Sequence, residues 1–205
     1  MDLLQGLGIW NLRDTECMDQ NDLIWEKVDS ETGPHLGILD VRFDYLRHPQ
    51  SQKVLKRLVL ESVDWINVVA LNPEGKSIMV EQYRFGIEAC TLETPGGMVD
   101  PGERPLDAAK RELLEETGYG GGTWSYLGAV QPNPAFHNHL CHHFLARDVV
   151  RRADQDLGAG EAIRLRFCTL TEMKQAMAEG SLTHVLALSA LSRVFQMWDV
   201  PFEPE

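Results

Sequence analysis

Apolar and polar side chains alternate along ILDVRFDYLR (38–47) and KVLKRLVLES (53–62). Half-buried antiparallel strands have this period, because successive side chains point to opposite faces. WINVVAL (65–71) and SIMVEQYRF (77–85) follow around NPEGK, whose Asn, Pro and Gly favour a turn, so a hairpin entering the main core is expected. Residues 105–117 change to a helical period, with Pro105 suited to the first turn and Gly118 to the left-handed residue past the end. Strand-like alternation returns in WSYLGAV, CHHFLAR and AIRLRFCTL. TEMKQAMAEG then reads as a helix stopped by Gly180, and THVLALSALSRVFQMW as a final apolar helix. Residues 1–24 carry little periodic signal. Antiparallel strands mixed with helices lying on a sheet predict an α+β sandwich rather than a βαβ repeat.

A chain of 205 residues, 43% hydrophobic, can bury one sizeable core, or a core and a small appendage. Its longest apolar runs, INVVAL and VLALSAL, fall well short of the roughly 18 residues needed to span a bilayer. MDLLQG lacks a basic leader, so a cytoplasmic protein is expected. Cys17, Cys90, Cys141 and Cys168 are scattered without CxxC spacing, which argues against a zinc site or a disulfide framework. A net charge of −12 argues against a nucleic-acid backbone or an anionic membrane as the main partner. If the substrate is itself anionic, a cation must stand between it and this protein.

Acidic residues concentrate in GGMVDPGERPLDAAKRELLEETGY (96–119). At about 100° per residue, Glu112, Glu115 and Glu116 share one arc of the helix, while Leu106, Ala109 and Leu113 lie beside it facing the core. Like charges at these spacings destabilise a helix by a few tenths of a kcal/mol per pair, and partial burial adds to the cost. A solvated acidic face is the bland reading. The glycine-rich TPGGMVDPGE before the helix argues for more, since it can bring backbone carbonyls and Glu103 to the helix start. Carboxylates without Cys or paired His select Mg²⁺ or Mn²⁺ over zinc.

The stretch resembles the Nudix box. Gly97, Glu103, Arg111, Glu112, Leu113, Glu115, Glu116 and Gly118 match in spacing, and Tyr119 fills the last apolar slot. DWINVVAL, EQYRFG, LETPGG, QPNPAF with Pro134, and GEAI extend the similarity to the ADP-ribose and nucleoside-diphosphate-sugar pyrophosphatase branch. The resemblance implies a Nudix-type α/β/α sandwich with a mixed sheet at 59–205, preceded by a small antiparallel β unit at 1–58 that dimerises and contributes to the substrate site. It also implies Mg²⁺- or Mn²⁺-dependent hydrolysis of a small nucleoside diphosphate sugar by a homodimer.

By the same resemblance Glu112, Glu115, Glu116 and the Gly96 carbonyl bind metal, Arg111 orients the glutamates, and Glu103 braces the loop. Arg84, Glu93 and Met98 contact substrate, and Glu161 or Glu115 handles the attacking water. Trp25 stacks on the base. The plain alternatives are a surface ion pair between Arg84 and Glu93, a solvated loop acid at Glu161 and a core tryptophan at Trp25. His137, His139, His142 and His143 depart from the branch pattern; one imidazole or Asn138 could contact a sugar or phosphate, and a zinc pair at His137 and His139 lacks an evident third ligand. A catalytically silent module sensing ADP-ribose, or a Nudix hydrolase of coenzyme A or dinucleoside polyphosphates, are the competing functions.

Overall fold

The structure is a computed structural model describing residues 22–198. Expectations for residues 1–21, Cys17 and the leader reading among them, lie outside it. The chain divides into two compact units: Met1–Val63 with Gly128–Leu140, and Asp64–Leu127 with Cys141–Glu205.

The first unit carries an antiparallel sheet of β1 (Glu26–His35), β2 (Asp40–Arg47) and β3 (Val54–Glu61), in that order. The two alternating segments form β2 and β3. β1 went unforeseen because EKVDSETGPH is polar and exposed almost throughout. Charges hold it to its neighbours instead: Arg47 pairs with Glu26, Lys27 with Asp44, and Tyr45 and Lys56 both donate to Glu31. Asp44 is buried, which acts to raise its pKa, yet Lys27, Arg42 and Ser30 outweigh burial and hold the carboxyl down at about 2.

In the second unit the elements are β4 (Trp65–Leu71), β5 (Ser77–Arg84), β6 (Ala89–Glu93), β7 (Gly96–Met98), α1 (Pro105–Thr117), β8 (Tyr119–Gly120), β9 (Thr123–Val130, running into the first unit), β10 (Cys141–Arg147), β11 (Val150–Arg151), β12 (Ile163–Cys168), α2 (Leu170–Ala178) and α3 (Val185–Ser192). The main sheet runs β12-β5-β4-β10-β9, with β6 added on β5 and β7 on β4. β10 lies parallel to β4, while β5, β6, β7 and β12 pair antiparallel, so the sheet is mixed.

Both faces of this sheet are covered, which explains why β4 reads as a continuous apolar run. Val68, Ile78 and Phe144 pack with Ala109 and Leu113 of α1 on one face. On the other, Val69, Met79 and Leu145 pack with Met173 of α2 and Ala187 and Leu191 of α3. This is the expected α+β sandwich with helices on both sides. Thr169 and Glu172 start α2 with reciprocal cap hydrogen bonds. α3 stops at Ser192, earlier than its apolar pattern suggests, because the Arg193 and Val194 N–H groups bond three residues back, to the Ala190 and Leu191 carbonyls, while Val194 and Phe195 still pack on the core. Among the described residues, no helix is long and apolar enough to cross a membrane.

Candidate active site

The site is built by β7, the loop after it and α1. Pro105 opens α1 and Gly118 closes it in the left-handed region at φ 72°, its N–H donating to the Leu114 carbonyl at 2.7 Å. Between β7 and α1, the Glu103 carboxylate accepts the Asp100 N–H at 3.1 Å, and the Asp100 carbonyl accepts the Glu103 N–H at 2.9 Å. That closed loop holds Glu103 beside the helix.

Arg111 gathers the acids. Its Nε and Nη2 form a fork on the Glu103 carboxylate at 3.2 and 2.9 Å, Nη1 reaches Glu112 at 2.8 Å and Glu115 at 3.2 Å, and Nη2 also donates to the Met98 carbonyl at 3.0 Å. One guanidinium thus fixes three carboxylates and the backbone of β7, a planar multidentate arrangement that lysine cannot copy. These anions raise the Arg111 pKa further, the Glu103 hydrogen bond most of all.

The glutamates of α1 grade from solvent into the core. Side-chain exposure is 40% for Glu115 and 14% for Glu112, and Glu116 is 5% exposed overall. Glu116 accepts the Gly96 N–H at 2.9 Å. Burial pushes its carboxyl up to about 8 against that hydrogen bond, and the charges of Glu112 and Glu161 push the same way. Glu112 is raised as well, by burial first, against the pull of Arg111, with Glu115 and Glu161 adding repulsion. These acids oppose one another in a poorly hydrated place. A hard divalent cation relieves that repulsion, and the all-oxygen donor set fits one. Among the described residues no three His, Cys, Asp or Glu side chains already form a metal-binding group; Arg111 and the Gly96 N–H occupy the carboxylates instead.

The remaining expected residues fall as follows. Glu161 is exposed, accepts the Gly158 N–H at 2.8 Å, and is close enough for its charge to act on Glu112 and Glu116. Gly96 enters the site through its N–H and Met98 through its carbonyl. Arg84 and Glu93 form a two-bond fork at 2.7 Å each, with Glu93 2% exposed and the Arg84 side chain 43% exposed. The pair is real, but Glu93 is too enclosed to be a surface partner. Trp25 belongs to the first unit, where it packs edge-on to His48 at 4.7 Å between ring centres and carries Arg57 over its face at 5.4 Å.

The histidine cluster is dispersed. His137 and His139 stack on each other at 5.1 Å in the first unit. His142 bridges Tyr126 and Asp64, and His143 is fully buried. Asn138 is bonded to Glu61 and to the Ser62 N–H.

A family model described as the NUDIX domain matches residues 63–188. The chain belongs to the NUDIX family. Among its relatives, "ADP-ribose pyrophosphatase" of Bacillus subtilis is 32% identical over 136 residues, covering 66% of this chain and 73% of the relative. A protein of the same name from Mycobacterium tuberculosis is 27% identical, covering 83% of each chain. "Methanol dehydrogenase activator" of Bacillus methanolicus is 31% identical, covering 69% and 77%. In fold, the chain is similar to a crystal structure of "ADP compounds hydrolase" with a TM-score of 0.72 at 20% identity, covering 83% of this chain and 91% of the other.

Two residues around this Nudix site escaped the sequence reading. Thr91 donates its hydroxyl to Glu93, and His184, at the start of α3, lies 3.6 Å from the same carboxylate. Thr91 is readable in principle, two positions from Glu93 on one strand face. His184 gives no such signal.

Proposed function

We propose that this Nudix pyrophosphohydrolase cleaves the pyrophosphate of ADP-ribose or a closely related nucleoside diphosphate sugar, giving a nucleoside monophosphate and a sugar phosphate. The observation that carries the reading is Arg111 binding Glu103, Glu112 and Glu115 together on the helix whose Glu116 is buried against Gly96. Relatives named ADP-ribose pyrophosphatase that align over most of their own length support the substrate. All box glutamates are present, which weighs against a silent sensing module.

Mg²⁺ or Mn²⁺, held by Glu112, Glu116 and the Gly96 carbonyl with Glu115 alongside, would neutralise the pyrophosphate charge and acidify a bound water. The protein's own residues do the rest. Arg111 keeps Glu112 and Glu115 turned towards β7. Glu161, exposed and facing the α1 acids, accepts the proton of the attacking water, with Glu115 as the other candidate. Arg84, held from behind by the buried Glu93, offers its outer guanidinium edge to a phosphate, and Met98 borders the sugar and base. A cytoplasmic homodimer in which Trp25 stacks on the base completes the proposal, and sedimentation analysis tests the assembly.

The deciding experiment incubates the protein with ADP-ribose, ADP-glucose, GDP-mannose, UDP-glucose, coenzyme A and diadenosine polyphosphates, with Mg²⁺, Mn²⁺ or EDTA. Products are read through a phosphatase that ignores the intact substrates. Metal-dependent turnover of ADP-ribose, alone or with another diphosphate sugar, is expected. Turnover confined to coenzyme A or dinucleoside polyphosphates would replace the substrate, and silence on all would overturn the hydrolase reading.

A further inference from the structure

Glu93 is a buried carboxylate whose bonds are nearly all accounted for. Its Oε1 accepts Arg84 Nε at 2.7 Å and the Thr91 hydroxyl, and its Oε2 accepts Arg84 Nη2 at 2.7 Å. The last open direction at Oε2 faces His184 Nδ1, 3.6 Å away. The three remaining donors of Arg84, two at Nη1 and the outer hydrogen of Nη2, have no protein partner among the described residues. Glu93 therefore faces inward to hold a guanidinium whose outer edge remains available.

The position of His184 follows from the chain around it. Gly180, at φ 79°, ends α2, and the Ser181 and Leu182 N–H groups both donate to the Ala176 carbonyl. The Ser181 carbonyl then accepts the Leu92 N–H at 2.8 Å, which fastens this connector to β6 beside Glu93, while Leu182 is buried in the core. His184 follows as the first residue of the α3 boundary, and its side chain caps no backbone N–H of its own helix. An imidazole there has no local task, and it faces the one carboxylate that grips Arg84.

We propose that His184 is a positioning residue for phosphate recognition: it closes on Glu93 opposite Arg84 and so fixes the orientation of the Arg84 guanidinium towards substrate. The inference rests on the functional reading above. Burial lowers the pKa of the ring against the attraction of Glu93, with Arg84 adding to the lowering, and in its Nδ1–H tautomer the neutral ring would turn a donor towards Glu93. At 3.6 Å the contact is longer than a hydrogen bond, and substrate phosphate drawing Arg84 outward leaves Glu93 with more charge to share with His184.

The test compares wild type, His184→Ala, His184→Gln, Arg84→Ala and the double variant His184→Ala/Arg84→Ala, each checked for folding by circular dichroism. KM and kcat are measured on ADP-ribose with Mg²⁺, and ADP-ribose binding is measured by calorimetry in EDTA. His184→Ala should raise KM and the calorimetric Kd about five- to twentyfold while changing kcat less than threefold. His184→Gln, which restores a donor, should recover most of the loss. In the Arg84→Ala background the His184 substitution should add nothing, because its effect passes through that arginine. An equal penalty with and without Arg84, or a loss confined to melting temperature, would overturn the proposal. Wild-type protein that neither binds nor cleaves ADP-ribose would instead overturn the functional reading, and the His184 assignment with it.

Discussion

Gly97 and Glu112 sit so close that a β-carbon on the glycine would collide with the glutamate carboxyl group. The box glycine is therefore required for its missing side chain. It leaves the space in which a carboxylate from α1 can lie against β7, within reach of Arg111. Gly97→Ala should push Glu112 out of that space and lower kcat/KM on ADP-ribose at least 100-fold. The melting temperature should fall by only a few degrees, because Glu112 can swing outward. Retention of more than a tenth of wild-type activity would show that the close approach is incidental.

Glu116 presents a buried carboxylate to the proposed metal position, which makes its charge testable separately from its shape. Glu116→Gln keeps the volume and an acceptor for the Gly96 N–H but removes the charge. Turnover should fall by about three orders of magnitude. In wild type, Mg²⁺ at about 100 times its Kd should stabilise the fold by about 2.7 kcal/mol, seen as a higher melting temperature that EDTA reverses. The variant should lose most of that increment. Full activity at limiting Mg²⁺ would remove Glu116 from the metal set.

The sequence exposed this helix because spacing alone aligned its acids, and the loop glycines and Arg111 lay within the same short stretch. The sandwich was legible for a related reason: β2 to β5, β9, β10 and β12 all write their burial into alternating or continuous apolar runs. β1 was not legible, since cross-strand ion pairs such as Arg47 with Glu26 and Lys27 with Asp44 support it and leave no period in the sequence. The end of α3 was misjudged because packing continues through Val194 and Met197 after helical geometry has ceased. His184 was invisible for want of any local pattern, as the turn at Gly180 and the Ser181 bond to Leu92 create its meeting with Glu93.

Arg111 carries contacts to three carboxylates and one carbonyl, so the planar fork matters more than the charge. Arg111→Lys keeps the charge yet can satisfy only part of this set. We expect kcat to drop about 10- to 100-fold as Glu112 and Glu115 lose their alignment, with KM for ADP-ribose changing little. A KM effect without a kcat effect would place Arg111 on the substrate instead of on the glutamates.

His143 supplies a pH dependence that owes nothing to the active-site acids. Its ring is fully buried in β10, and burial above all, with Arg193 and His142 adding to it, brings its pKa down to about 4. In the unfolded chain the same imidazole titrates near its ordinary value of 6.5. Above that value neither state holds the proton, and His143 leaves stability independent of pH. Below it the unfolded chain binds a proton that the folded chain refuses, so stability falls as the pH drops and the fall levels off near 4. Over that window the loss should amount to about 1–3 kcal/mol. Asp44 acts in a lower window: its carboxyl, held at about 2 in the fold, costs stability only as the pH falls below the ordinary carboxylate range. Urea unfolding of wild type and His143→Gln between pH 7 and pH 2 separates the two. The variant should have a shallower slope between 6.5 and 4, with the buried His184 still contributing its share, and keep the loss below it. Parallel curves through the upper window would mean that His143 is protonated in the fold without penalty.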